Sequence, residues 1–320
     1  MVGMEFGSYF WVWGLKYIVK QQDETALLSL SIIYLVIQVT QVCGTPKFVE
    51  ERLKNVRSLM DEGVKARDIK APLMAGVDLG TSNIQVIVVD AEQKPVAAVF
   101  EWDNAVRDGV VVDYLAACNQ LRGLKKQLLS MLGEDYSLDK ASVGYPPGTE
   151  AWVESNVVKE SGFEIACEVD EPSAAAAALG VGNGAIIDVG GGTTGISVLK
   201  DNEIVYTADE ATGGHHLTLV LAGGNDISFE EAETLKITKP FAEYRGLVRP
   251  VIEKMASIAK EHLSSFVDLE QIYLVGGTSI PEGFEEIFAE ELQRDVCKPP
   301  DPILVTPLGI ALSGIENKLG

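Results

Sequence analysis

The 320-residue sequence predicts an α/β protein of two duplicated lobes, each carrying a mixed five-stranded sheet, facing each other across a cleft. Three observations predict it. A strand, acid, glycine turn, strand pattern occurs twice, at Asp78-Leu79-Gly80-Thr81-Ser82 and at Asp188-Val189-Gly190-Gly191-Gly192-Thr193-Thr194. Each half runs in the same order, three strands and then alternating helices and strands, which is the signature of a mixed sheet with packed helices. Between the halves, Gly180-Val181-Gly182-Asn183-Gly184 marks a boundary. The expected division is residues 71–180 and 181–320, preceded by an amphipathic helix over 45–70 and an apolar extension over 1–44.

Taken in order, residues 1–44 are the compositional outlier. No charged residue occurs from Thr25 to Pro46, and residues 26–42 are mostly apolar, near the lower length for a spanning helix. Asp23 and Glu24 stand where a signal peptide would be basic. Two readings remain, an extension foreign to the fold or a membrane anchor. Next, Phe48, Arg52, Val56 and Leu59 recur at helical spacing beside Glu50, Glu51, Lys54 and Arg57. This helix, capped by Thr45 or Pro46, is expected to pack on the outside of the first lobe, with a partner surface as the alternative.

Apolar runs then predict strands at 73–79, 84–90 and 96–101, a helix over 111–132 and a strand over 138–145. Thr149 is expected to cap a helix to 161; a strand follows at 163–169, and Pro172 opens the next helix at its first turn, where proline is favoured. The second half repeats the plan with strands at 185–189, 195–199 and 203–208 and a helix from Gly213. Helices at 228–236 and 244–263, a strand at 271–275, a helix at 281–292, a strand at 303–305 and a helix at 308–317 complete it.

A formal charge of −21 and an isoelectric point near 4.5 argue against a nucleic-acid partner, whose phosphates would be repelled. Local anion binding through backbone amides is unaffected by that balance. Cys43, Cys118, Cys167 and Cys297 are scattered, which reads as four unpaired thiols in a reducing cytoplasm. His215 and His216 are sequence neighbours and so fit a turn or an interface better than a shared metal.

The repeated turns carry the chemistry. Their glycines leave backbone N–H groups open to a phosphate, and the acid at each strand end offers the hard oxygen that a Mg²⁺-phosphate needs. Four further stretches fall where a two-lobed clamp would need them. Asp170-Glu171-Pro172 ends a strand and starts a helix. Gly213 and Gly214 stand at a helix N-terminus, an anion-binding position. Glu233 and Lys236 share a helical face. Val275-Gly276-Gly277-Thr278-Ser279 is a strand followed by a glycine turn that lets a flat ring approach the backbone.

In this order, Asp78-x-Gly80-Thr81, Glu171-Pro172, Asp188-x-Gly190-Gly191-Gly192-Thr193 and Val275-Gly276-Gly277 resemble the phosphate-1, connect-1, phosphate-2 and adenosine motifs of the actin and heat-shock-chaperone ATPase superfamily. The resemblance covers residues 73–314 and implies the actin-like ATPase fold, itself ribonuclease H-like, with ATP and Mg²⁺ as ligands. It implies that Asp78 and Asp188 hold Mg²⁺ through water and that Glu171 polarises the attacking water. The amides of Gly80, Thr81 and Ser82 and of Gly190, Gly191, Gly192, Thr193 and Thr194 would cradle the phosphates, with Gly213 and Gly214 beside them. Glu233 and Lys236 would meet the ribose, and Gly276, Gly277, Thr278 and Ser279 the adenine.

Arg107-Asp108-Gly109-Val110, Pro146-Pro147-Gly148-Thr149 and the stretch from Ala208 to His216 resemble a chaperone-like branch of that superfamily encoded with the bacterial ethanolamine-utilisation microcompartment. That implies a protein partner, an enzyme or shell protein of the compartment. An oligomer or filament, a non-hydrolysing nucleotide-gated adaptor and a small-molecule kinase stand as alternatives. The first lobe's peripheral subdomain is reduced to residues 100–110 and the second's to about 219–244. The catalytic lysine that the large chaperones carry in the first of these has no clear equivalent. The chain stops after its last expected helix, so a peptide-clamping cycle is not carried over.

Overall fold

The computed structural model describes residues 44–63, 69–102, 106–107, 110–147 and 149–316. The apolar extension lies outside these residues. Gly44–Gly320 forms one compact unit.

Two sheets of similar plan carry the fold. The first has strand order β3-β2-β1-β6-β7, with β1 Met74–Leu79, β2 Asn83–Val89, β3 Pro95–Trp102, β6 Lys140–Tyr145 and β7 Glu164–Asp170. β1, β2 and β3 form an antiparallel meander, and β6 and β7 join parallel to β1. The second has order β10-β9-β8-β11, with β8 Gly184–Val189, β9 Thr194–Lys200, β10 Glu203–Glu210 and β11 Ile272–Val275. Its meander is again antiparallel, and β11 joins parallel to β8. A two-residue hairpin, β4 Val106–Arg107 and β5 Val110–Val111, stands in place of a larger insertion after β3.

The second sheet is four-stranded where the sequence predicts five. The expected strand at 303–305 is a 3₁₀ turn, Pro302–Leu304, running directly into a helix. The physical reason is local. Pro299, Pro300 and Pro302 lack the N–H groups a ladder needs, so pairing stops at a single parallel bridge between Tyr273 and Cys297.

Helices cover both sheets. α1 Lys47–Glu62 buries Val49, Leu53, Val56 and Leu59 against β3. The buried stripe is set one residue on from the expected start, leaving Phe48 about half exposed at 49%. α2 Tyr114–Leu132, capped by Asp113, and α3 Trp152–Glu160 close the outer face of the first sheet over a core that includes Val77, Val86, Leu121 and Val143. Thr149 does not cap α3; its hydroxyl donates to Pro146 O in the preceding turn. α4 Glu171–Leu179 follows β7 directly. In the second lobe α5 Gly214–Asn225, α6 Phe229–Thr238, α7 Phe241–Leu263 and α8 Phe284–Leu292 surround a core that includes Ile187, Leu221, Ile252, Leu274 and Phe288.

The last helix, α9 Val305–Glu316, packs on α4, β1 and β6 of the first sheet, although its sequence follows the second. Small residues permit the approach. A Cβ on Gly309 would fall 1.8 Å from Ala174 O, and one on Gly76 would fall 2.3 Å from Ala311 N. The division at 180/181 therefore separates the two sheets but does not describe where α9 lies. Cys118 and Cys167 keep their thiols, as expected, whereas Cys297 is disulfide-bonded. Spacing along a chain carries no information on which sulfurs meet in space.

Candidate functional site

β1 and β8 are central strands of their sheets, and each ends at its acidic turn. A cavity of about 970 Å³ lies between them. Asp78, Gly80, Thr81 and Ser82 line it from the first lobe, Glu171 from the start of α4, and Asp188, Gly190, Gly191, Gly192 and Thr193 from the second. Glu233, Lys236, Gly276, Gly277 and Thr278, all expected at the site, line it as well. The two turns touch. A Cβ on Gly191 would fall 2.3 Å from Ser82 Oγ, so the serine would have to turn away to admit a side chain there.

The carboxylates in this cavity hold their protons unusually well. Asp78 is raised to about 7, first by burial and then by the charge of Asp188. Asp188 is raised to about 6 by burial and by Asp209, while a hydrogen bond from Thr306 Oγ1 (2.9 Å) draws it back. Glu171 is raised well above the usual carboxylate range by burial and by Asp78, Asp188 and Asp209. Asp209, near the end of β10, is raised by burial against a hydrogen bond from Thr193. Burial and mutual repulsion thus act in the same direction on four acids, which is the condition that a bound cation relieves.

Lys236 sits apart from these acids. Its Nζ donates to Glu233 Oε2 (2.8 Å), Thr218 Oγ1 (2.8 Å) and Gly214 O (3.2 Å), and burial lowers its pKa. Glu233 and Lys236 give the cavity a polar lining, and Gly276 and Gly277 a bare backbone one. Gly276 has φ +90°, and a Cβ there would fall 2.3 Å from Asp188 Oδ1. That glycine is what brings the second turn and the loop after β11 together.

Similarity to known proteins decides the family. The ethanolamine utilization protein EutJ of Escherichia coli (strain K12) is 38% identical over 275 residues, covering 86% of this chain and 97% of the relative. The chain belongs to the EutJ family. EutJ of Salmonella typhimurium is 38% identical over 264 residues, 82% of this chain and 92% of the relative. The crystal structure of EutJ from Carboxydothermus hydrogenoformans superposes with a TM-score of 0.78 at 45% identity, covering 83% of this chain and 98% of that one. Residues 169–300 match the type IV pilus assembly protein PilM family and residues 100–222 the MreB/Mbl protein family. MreB 5 of Spiroplasma citri bound to AMPPNP superposes at 0.65 with 17% identity, over 78% of this chain and 98% of that one, a likeness of fold alone. The fold is the actin-like ATPase fold.

Four residues expected at the cleft of this EutJ family member lie behind it. The N–H groups of Gly214 and His215 donate to Gly190 O and Gly191 O (2.9 and 2.8 Å). The N-terminus of α5 is therefore turned onto the second turn, and Gly213 and Gly214 offer no open amide to an anion. Thr194 is buried with its hydroxyl on Thr212 O, and Ser279 is buried with its hydroxyl on Gly276 O. Gly213, Gly214 and Thr194 are scaffold of the second turn, and Ser279 of the loop after β11. His215 packs edge-on to Phe229, and His216 Nδ1 accepts from Gly213 N–H.

Sequence reasoning missed Thr306, Asp209 and Gln85. Asp209 lies at a strand end as Asp78 and Asp188 do, a signal present in the sequence. Thr306 and Gln85 carry no local signal; they matter because α9 and β2 pass the acids in space.

Proposed function

We propose that the chain binds ATP·Mg²⁺ between its two acidic turns and transmits lobe closure to a protein partner. That partner is an ethanolamine-utilisation enzyme or shell protein of a bacterial microcompartment, in the cytoplasm. The observation that carries the reading is the contact between the two turns, with Asp78 and Asp188 facing one cavity. Mg²⁺ suits four acids that resist ionising alone. Among the described residues no three His, Cys, Asp or Glu side chains could ligate one metal. Asp78 and Asp188 therefore suit a hydrated cation, held through its waters. The amides of the turns would cradle the phosphates, and positioning with charge neutralisation is most of what phosphoryl transfer needs. The bound AMPPNP of the Spiroplasma protein, which shares the fold, supports the ligand class.

Isothermal titration of ATP with Mg²⁺ tests this. Wild type is expected to bind, and Asp188→Ala to lose at least about 100-fold in affinity, the order of 3 kcal/mol that a lost charged contact costs. Equal and undetectable binding in both would remove the reading. A second reading, a nucleotide-gated adaptor that does not hydrolyse, is favoured by Glu171. Burial and four neighbouring acids oppose the ionised form that a general base requires. A Glu171→Ala variant that binds ATP and releases phosphate as slowly as wild type would select it.

A further inference from the structure

Gln85 stands on β2 directly opposite Asp78 in the antiparallel register, so the two side chains share one face of the sheet. It is 4% exposed and lines the cleft. Its Nε2 donates to Asn83 Oδ1 (3.0 Å) and Ile303 O (3.4 Å). Its Oε1 is fully buried and has no hydrogen-bond partner among the described residues. The opposite amide orientation would set Oε1 against the Ile303 carbonyl, which can only accept. A buried acceptor left unmade is costly, and here its directly paired strand neighbour, Asp78, is another oxygen acid. Among the described residues no donor reaches Oε1.

We propose that Gln85 is a positioning residue whose Oε1 accepts a hydrogen bond from a water of the hydrated divalent cation held by Asp78 and Asp188. A metal-bound water is a strong donor and carries no negative charge, so it satisfies Oε1 and the acids together. The Nε2 contacts fix the amide plane from both sides, one on its own strand and one on the turn that leads into α9. Gln85 thereby reads the cation rather than the nucleotide. This rests on the nucleotide reading above and deepens it.

The test compares ATP affinity by calorimetry in excess Mg²⁺ and in excess EDTA, for the full chain and for Gln85→Met, which keeps the length and loses both polar atoms. Gln85→Leu serves as the second variant, and the melting temperature of each ligand-free protein is measured beside it. The ratio of the two affinities is expected to fall about tenfold in Gln85→Met, with EDTA affinity within about twofold of wild type. The ligand-free melting temperature is expected to stay within a few degrees of wild type, since removal of the unsatisfied acceptor offsets the two lost Nε2 bonds. A structural role would lower it and leave the Mg²⁺ ratio untouched, and that result overturns the assignment. ATP bound by both proteins with the same Mg²⁺ ratio overturns it too, leaving the nucleotide reading intact. A wild-type chain that binds no ATP in either condition overturns both.

Discussion

The two acidic turns are sisters by sequence pattern and unequal by construction. The second is braced on several sides. Gly190 O accepts from Gly214 N–H and from Thr278 Oγ1 (2.8 Å), Gly191 O accepts from His215 N–H, and Thr306 holds Asp188. The loop after β11 closes against it through Gly276, whose N–H donates to Pro302 O (3.2 Å). At the turn glycines themselves the two are alike, a Cβ on Gly80 falling 3.1 Å from Asn83 O and one on Gly190 3.3 Å from Thr193 O, and Ser82 leans across the cleft onto Gly191. The electrostatics follow the bracing. Thr306 holds Asp188 near 6, while Asp78, acted on by burial and by Asp188, rises to about 7. The acid of the braced turn therefore gives up its proton more readily than its sister.

Glycine substitution measures that difference most directly. At Gly276 an alanine must adopt φ +90° and overlap Asp188 Oδ1 and Val189 O. Strain and overpacking together should cost about 3 kcal/mol of unfolding free energy. At Gly80, where φ is ordinary and a neighbour need yield only slightly, alanine should stay within about 0.5 kcal/mol of wild type. Urea denaturation of Gly276→Ala and Gly80→Ala reads both. Comparable losses would mean that the loop after β11, which closes on the second turn, is no tighter than the first turn, and the contrast would fail.

Much of this is legible along the chain because turn chemistry is local. A strand that ends in Asp and turns on Gly80 or on Gly190, Gly191 and Gly192 announces itself, and both hairpins lie within a residue or so of their expected bounds. What stays hidden is what long-range packing decides. α9 follows the second sheet in sequence and packs on the first, because Gly309 and Gly76 allow contacts that no periodicity encodes. The Gly213-Gly214 pair reads as an anion seat until the carbonyls of Gly190 and Gly191 are seen to occupy the amides at the start of α5. The strand expected at 303–305 fails on a signal that is present, since Pro299, Pro300 and Pro302 bar a ladder. The helix expected over 45–70 forms over 47–62 and stops at Gly63, and its inward stripe is set by β3 rather than by Phe48.

The inequality of the acids predicts a pH dependence. An acid whose folded pKa lies above its unfolded value binds its proton more tightly when native. Its contribution is present at low pH and lost as pH rises through the folded value. For Asp78 and Asp188 that window runs from about 4 to about 7. The ligand-free protein should therefore melt on the order of 5 °C higher at pH 5 than at pH 8. Asp78→Asn should flatten this slope more than Asp188→Asn, because Asp78 has the larger shift. A steeper loss of slope in Asp188→Asn would reverse the order of the two turns.

The finest probe is the contact that makes the turns unequal. Thr306→Val keeps the branched shape at the start of α9 and deletes only the hydroxyl that reaches Asp188 Oδ2. With the donor gone, burial and Asp209 act on Asp188 unopposed, and its pKa should climb from about 6 toward that of Asp78. The lost bond to a charged group should cost about 1 kcal/mol at pH 8, and correspondingly about fivefold in ATP·Mg²⁺ affinity. At pH 5, where Asp188 is protonated in both proteins, the stability gap should narrow. NMR titration of the Asp188 carboxyl carbon follows the shift, and calorimetry follows the affinity. If Asp188 titrates as in wild type, its lower value comes from the backbone dipoles of its own turn rather than from α9. The cross-lobe contact would then be incidental to the difference between the sisters.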